Sequence, residues 1–128
     1  VTAFPTAQQV IDLHDSLSGA PLISRAKLEA AVLRPQASFD GVFLHQSIYK
    51  QASVLLHAIC AAHAFLDGNK RTAWVSTLTF LELNGVAINY VDAATMSDYM
   101  VEVATHIQTE QDTAFWFAAL DPANARLL

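Results

Sequence analysis

The sequence predicts an all-α fold, a bundle of about five to seven helices with room for one small β-hairpin. Two observations carry that reading. Apolar residues recur at helical spacing behind residues that start helices: Thr6, Ser24, Ser47 and the string Thr109–Asp112. Two long apolar segments flank a short polar stretch, His63–Arg71, as two packed helices flank the loop that joins them. Gly and Pro number only 4 each in 128 residues, which places the chain outside the disordered and low-complexity classes.

Each element follows in turn. Pro5-Thr6 marks a helix start with Thr6 as N-cap, after which Val10, Ile11, Leu13 and Leu17 share one broad face. Gly19-Ala20-Pro21 ends that helix. Ser24 caps a second helix, with Leu28, Ala31 and Val32 inward and Pro35 just past its end. Residues 36–46 lose helical periodicity. With the turn signal Asp40-Gly41 between short apolar stretches, they read equally as a hairpin or lid-like loop and as an ordinary connection.

Ser47 caps the next helix. From Ile48 to Ala62 few charges fall on any face, so this helix is expected to be central and buried, delivering His63 at its C-terminal end. A second long helix begins near Asn69–Arg71 and carries Trp74, Val75, Leu78, Phe80 and Leu81. Asn84-Gly85 ends it, with Gly85 in the left-handed position. Val86–Val91 suits a short strand or an extended segment. A helix starting at or near Thr95 runs to about Thr105. Thr109-Glu110-Gln111-Asp112 has the form of a capping box for a last helix carrying Phe115, Trp116 and Leu120, stopped by Asp121-Pro122. Residues 121–128 are expected to fray.

The length fits a single domain over residues 1–128. A formal charge of −5 argues against general nucleic-acid binding but leaves room for a local cationic pocket. Cys60 is the only cysteine, which excludes an internal disulfide and suits a buried, reduced thiol. The opening Val-Thr-Ala-Phe-Pro has no basic-then-apolar leader, so no signal peptide is expected. The apolar runs break well short of the ~20 residues of a membrane span, so a cytoplasmic protein with no membrane partner is expected.

The chemistry concentrates in His63–Arg71, between the two apolar helices. A helix opening near Lys70 presents unpaired N–H groups and a positive dipole end to the loop. Gly68 lets the backbone approach an anion, and Lys70 and Arg71 add formal charge. Asn69 can orient a ligand oxygen or the loop itself. Asp67 precedes this nest, where a carboxylate beside a phosphate holds Mg²⁺. His63, at the other edge, is suited to taking a proton from an attacking hydroxyl. Phe65 points the opposite way and anchors the loop in the core.

Each residue alone has a plainer reading: His63 as a capping or surface residue, Asp67 as a partner for its own turn, Lys70-Arg71 as a solvated helix start. Cations at a helix N-terminus oppose the dipole at a cost of up to ~1 kcal/mol, and a bound anion would remove that conflict. The four other histidines, His14, His45, His57 and His106, show no metal-ligand spacing. His14-Asp15 suits a polar partnership near the site that the linear order does not locate.

The ordered string His63-x-Phe65-x-Asp67-Gly68-Asn69-Lys70-Arg71 resembles the signature of the Fic/Doc family, and Lys70 is similar to its Doc (death-on-curing) branch. Leu13-His14-Asp15, Arg34-Pro35-Gln36 and Phe80–Gly85 extend the resemblance over roughly residues 8–90. It implies a compact Fic-like helical bundle that transfers a phosphate-containing group from ATP, with Mg²⁺, to a protein hydroxyl. By position, His63 is implied as the base, Asp67 as a Mg²⁺ ligand, and Gly68, Asn69, Lys70 and Arg71 as the nucleotide phosphate site. Residues 36–46 match the family's target-docking flap.

AMP-transferring members carry Gly where this chain has Lys70, and a second Arg where it has Trp74. Both differences imply a reversed nucleotide and phosphorylation of the target, although Gly68 stands where some Doc proteins carry Ala. The resemblance further implies elongation factor Tu as target, a block of translation, and a toxin–antitoxin module. The self-inhibitory pattern Ser/Thr-x-x-x-Glu-Gly/Asn is absent from the sequence, which implies a separate antitoxin, suited to an apolar groove. The alternatives are AMP or other nucleotidyl transfer on the same fold, and a non-catalytic protein that holds a nucleotide or an antitoxin.

Overall fold

The computed structural model describes residues 1–125. The described elements run α1 (Ala7–Leu17), α2 (Arg25–Leu33), a 3₁₀ turn (Arg34–Gln36), β1 (Ser38–Phe39), β2 (Val42–Phe43), α3 (Ile48–Ala62), α4 (Asn69–Leu83), α5 (Ala93–Ala104), α6 (Glu110–Leu120) and α7 (Pro122–Ala125). The all-α expectation holds, with one two-stranded antiparallel hairpin in which Ser38 pairs Phe43 and Phe39 pairs Val42.

α3 forms the axis and packs against α2, α4, α5 and α6. Its composition explains this: Ala52, Val54, Leu55, Leu56 and Ile59 are all buried, spread around the helix instead of along one stripe. Ser47 starts it, its hydroxyl accepting from the Tyr49 and Lys50 N–H groups. Thr6 and Thr109 both make full capping boxes, with Gln9 and Asp112. α4 ends as expected, at Asn84 and a left-handed Gly85 (φ 85°).

Several expectations change. In α1 the buried stripe is Ala7, Val10, Ile11 and His14, while Leu13 and Leu17 are only half-buried. Val86–Val91 forms no strand: it has no regular secondary structure, with Val86, Ile88 and Val91 packed against the core and the Asn89 N–H donating to the Leu120 carbonyl. α5 does start near Thr95 as expected, at Ala93, where the Asp92 carboxylate caps it by accepting from the Thr95 N–H at 2.7 Å. In α6 the deeply buried ring is Phe117, while Phe115 is 66% exposed.

Where fraying was expected, Pro122–Ala125 is a helix. It is tied down by Tyr49 Oη donating to Asp121 at 2.6 Å and by Asn124 Nδ2 donating to the Ala118 carbonyl at 2.7 Å. The rest of that expectation, residues 126–128, lies outside the described residues. No helix among the described residues is long and apolar enough to cross a membrane.

Candidate active site

α3 ends on His63, whose backbone turns left-handed (φ 46°, ψ 44°). Glycine adopts that conformation freely and histidine rarely does. The turn throws the chain out of α3 and leaves the imidazole exposed, with no hydrogen-bond partner among the described residues.

The next residues are fastened from beneath. Leu22 and Phe65 form an isolated antiparallel bridge. The Ile23 and Ser24 N–H groups donate to the Ala64 carbonyl at 2.7 and 3.0 Å, and the Leu66 N–H donates to the Pro21 carbonyl at 3.0 Å. Phe65 is buried, as expected, and its ring stacks on His14 with centroids 3.7 Å apart. The Asn69 side chain clamps the same residue, accepting from the Phe65 N–H at 3.1 Å and donating to the Phe65 carbonyl at 2.8 Å. Its amide therefore serves the loop, and its main-chain N–H is what it offers an anion.

Gly68 is the N-cap of α4, at φ 83°, and no side chain caps the helix. The first helical bond runs from the Thr72 N–H to the Gly68 carbonyl. The N–H groups of Asn69, Lys70 and Arg71 are thus the unpaired first donors of the helix. The Gly68 N–H is held at 2.8 Å by its neighbour, the Asp67 carboxylate. The Asp67, Lys70 and Arg71 side chains are exposed, and none is in an ion pair among the described residues. Free donors, a positive helix end and two cations therefore face one place, which is what an anionic ligand needs.

That place is a hollow of about 420 Å³ lined by Leu66, Asp67, Gly68, Asn69, Lys70 and Arg71 together with Cys60, His63 and Ala104. A second hollow of about 440 Å³ shares Cys60, His63 and Ala104 with it and continues past Arg34, His57 and Glu110. His63 stands on the boundary between the two. Every site residue expected from the sequence is therefore gathered around one hollow.

The second hollow holds what the sequence reading missed. Arg34 donates to Glu110 at 3.0 Å across 76 positions of sequence. His57 Nε2 lies 2.8 Å from the Thr113 hydroxyl, which also meets the Tyr99 hydroxyl at 2.6 Å. Burial pushes His57 below the ordinary histidine range. Cys60 is buried as expected, and burial pushes its thiol up against the opposing influence of Lys70. The sequence singled out Arg34, His57, Cys60 and Glu110 for other reasons, and none of those reasons brought them together.

Two further placements bear on function. Trp74, in the position of the family's second Arg, is 5% exposed and packs against Trp116 and Phe117 in the core, so it cannot reach a phosphate. The hairpin within 36–46 forms, with Phe39 78% exposed and Asp40-Gly41 at positive φ, but none of its residues lines either hollow. Its Phe43 ring packs instead on Phe4, which stacks on Phe80.

A magnesium ion suits this donor set. It takes one or two carboxylates plus phosphate oxygens and keeps several waters, and Asp67 offers one exposed carboxylate at the rim of the nest. No group of 3 or more His, Cys, Asp and Glu side chains fit to hold a metal occurs among the described residues, so such an ion would rely on the phosphates it accompanies.

Residues 4–81 match the model of a family described as Fic/DOC family. The chain is 46% identical over 79 residues to "Toxin Doc" of Mycolicibacterium smegmatis, the match covering 61% of this chain and 61% of that protein. It is 32% identical over 105 residues to "Protein kinase doc" of Escherichia phage P1, covering 77% of this chain and 79% of the relative.

Proposed function

Because the chain belongs to the Fic/DOC family, we propose that it acts as a Doc-like toxin that moves a phosphoryl group from ATP to a hydroxyl of a target protein. The observation that carries this reading is the shared hollow: uncapped N–H groups of Asn69, Lys70 and Arg71 face the space that His63 borders. The names of the relatives, a toxin and a protein kinase, support it.

In this reading the terminal phosphate lies against the α4 N-terminus, with Lys70 and Arg71 balancing its charge. The target hydroxyl approaches His63. Its oxygen bonds to the γ-phosphorus as the bond from that phosphorus to the β,γ-bridging oxygen breaks, and ADP leaves. The hydroxyl proton passes to an imidazole nitrogen of His63 and then to solvent. Asp67 would hold magnesium, which when bound supplies charge neutralisation on the nucleotide phosphates. Among the described residues His63 has no hydrogen-bond partner, which leaves its ring open to that proton.

Buried Trp74 supports phosphoryl over AMP transfer, since it removes the second cation that would hold further phosphates deeper in the site. The family resemblance suggests elongation factor Tu as the target, translation as the process blocked, the cytoplasm as the compartment, and a separate antitoxin as the inhibitor. The exposed hairpin at Phe39 and Val42 suits a protein-docking role.

The test is incubation with cell extract and ATP labelled at the α or the γ phosphate. The γ label alone on a protein band is expected. The α label would mean AMP transfer. Neither label, with His63→Ala indistinguishable from the parent, would mean a binding role.

A further inference from the structure

We infer that His14, on α1, is a positioning residue that latches the Asp67–Gly68 peptide in the orientation an anion requires. The inference rests on the phosphate-holding role proposed above for this loop.

His14 is 0% exposed, and its ring touches the loop in three ways. It stacks on Phe65, with centroids 3.7 Å apart and planes 10° from parallel. Its Nε2 lies 2.9 Å from the Asp67 carbonyl oxygen. Its Nε2 and Cδ2 lie 3.4 Å from where a Cβ on Gly68 would stand. The other nitrogen, Nδ1, lies 3.1 Å from Asp15 Oδ1. A carbonyl and a carboxylate both only accept, so Nε2 carries a proton when it bonds Asp67, and Nδ1 bonds Asp15 only when it carries one too.

The consequence follows from peptide geometry. No peptide bond in the described chain is cis, and in a planar trans peptide the C=O and the following N–H point in opposite directions. Holding the Asp67 carbonyl inward, on a buried ring, therefore turns the Gly68 N–H outward, to the rim of the hollow, where the exposed Asp67 carboxylate accepts from it at 2.8 Å and an anion must compete with that bond. The reverse orientation would present the carbonyl oxygen to the phosphate and repel it. Gly68, with no Cβ, would oppose such a flip weakly. The ring from α1 supplies the restraint that glycine lacks, across 53 positions of sequence.

The experiment uses the full chain, with the β,γ-imido analogue of ATP and magnesium as probe. In the parent, ¹⁵N spectra should show His14 protonated at Nε2, and the Gly68 amide should shift on titration with the analogue. His14→Phe keeps an aromatic ring on Phe65 but removes the donor. It should lose the Gly68 response and weaken analogue binding by about tenfold. His14→Gln restores a donor and should recover binding to within about threefold of the parent.

A parent ring with bare Nε2 would overturn the latch, as would a folded His14→Phe protein that binds the analogue and shifts Gly68 as the parent does. So would variants that melt earlier while their folded fraction binds unchanged, since that is the mark of a ring serving the fold alone. The two readings separate cleanly. A parent whose Gly68 responds to the analogue, yet which labels no protein with ATP, loses phosphoryl transfer and keeps the latch.

Discussion

His63 holds backbone angles that glycine would adopt without strain, and it holds them at the one point where an imidazole borders both hollows. Strain of this kind persists where surrounding structure and use demand it. His63→Gly should therefore raise stability by about 1 kcal/mol in urea denaturation. The same variant should lower transfer of the γ label by 10²–10⁴-fold, on the order of what a general base contributes. Asn69→Ala should act on the loop and not on the nucleotide directly. Losing both bonds to Phe65 should lower stability by about 1–2 kcal/mol and weaken nucleotide binding, read by denaturation and by titration of the β,γ-imido analogue. At this scale the sequence exposed the motif residues, because each carries its chemistry in its own side chain. It singled out His14-Asp15 for a polar partnership near the site but did not locate it, because that contact joins a ring on α1 to a loop carbonyl 53 positions away.

Among the elements, the caps were the most legible. Thr6, Ser24, Ser47 and Thr109 all start helices, because an N-cap satisfies donors within the next three residues and needs nothing distant. Thr109→Ala should cost about 1 kcal/mol and lower the thermal midpoint by a few degrees. α4 is the contrast: among the long helices it is the one whose N-cap, Gly68, offers no side chain. If its orphan donors hold the nucleotide phosphates as proposed, with exposed Lys70 and Arg71 beside them, ATP binding should weaken as salt rises from about 0.05 to about 0.3 M. Salt-independent binding would reject this nest as the phosphate site. Val86–Val91 was ambiguous because a strand exists only with a partner. Its main-chain N–H groups bond instead to helix ends, Val86 to the Leu81 carbonyl of α4 and Asn89 to the Leu120 carbonyl of α6.

For the molecule as a whole, acid is the informative perturbation. Capping bonds hold Asp92 and Asp112 below the ordinary carboxylate range, and the Tyr49 hydroxyl does the same for Asp121, foremost among its causes. A carboxylate depressed in the folded state stabilises it fully above the unfolded value of about 3.9, and loses that contribution as pH falls through the folded value. His57, depressed mainly by burial, has the same sign: its contribution is complete above about 6.5 and is lost as pH falls through its lowered value. The thermal midpoint should thus be flat near neutrality, decline slightly below about pH 6 and fall steeply below about pH 4. His57→Asn should remove the shallow step, and Asp121→Asn should soften the steep one. Scanning calorimetry against pH checks both.

The sequence alone determined the helical class, the start of most helices, the loop at 63–71 and the chemistry concentrated there. Each of these depends on residues within a turn or two of one another, where spacing along the chain is also spacing in the molecule. Only the tertiary structure decided that His14 reaches the loop, that Arg34 pairs with Glu110, that Trp74 is core, and that Asp121–Asn124 is tied to α3 and α6. Those outcomes join segments tens of residues apart. They follow from how the buried faces pack around α3, which no local periodicity encodes.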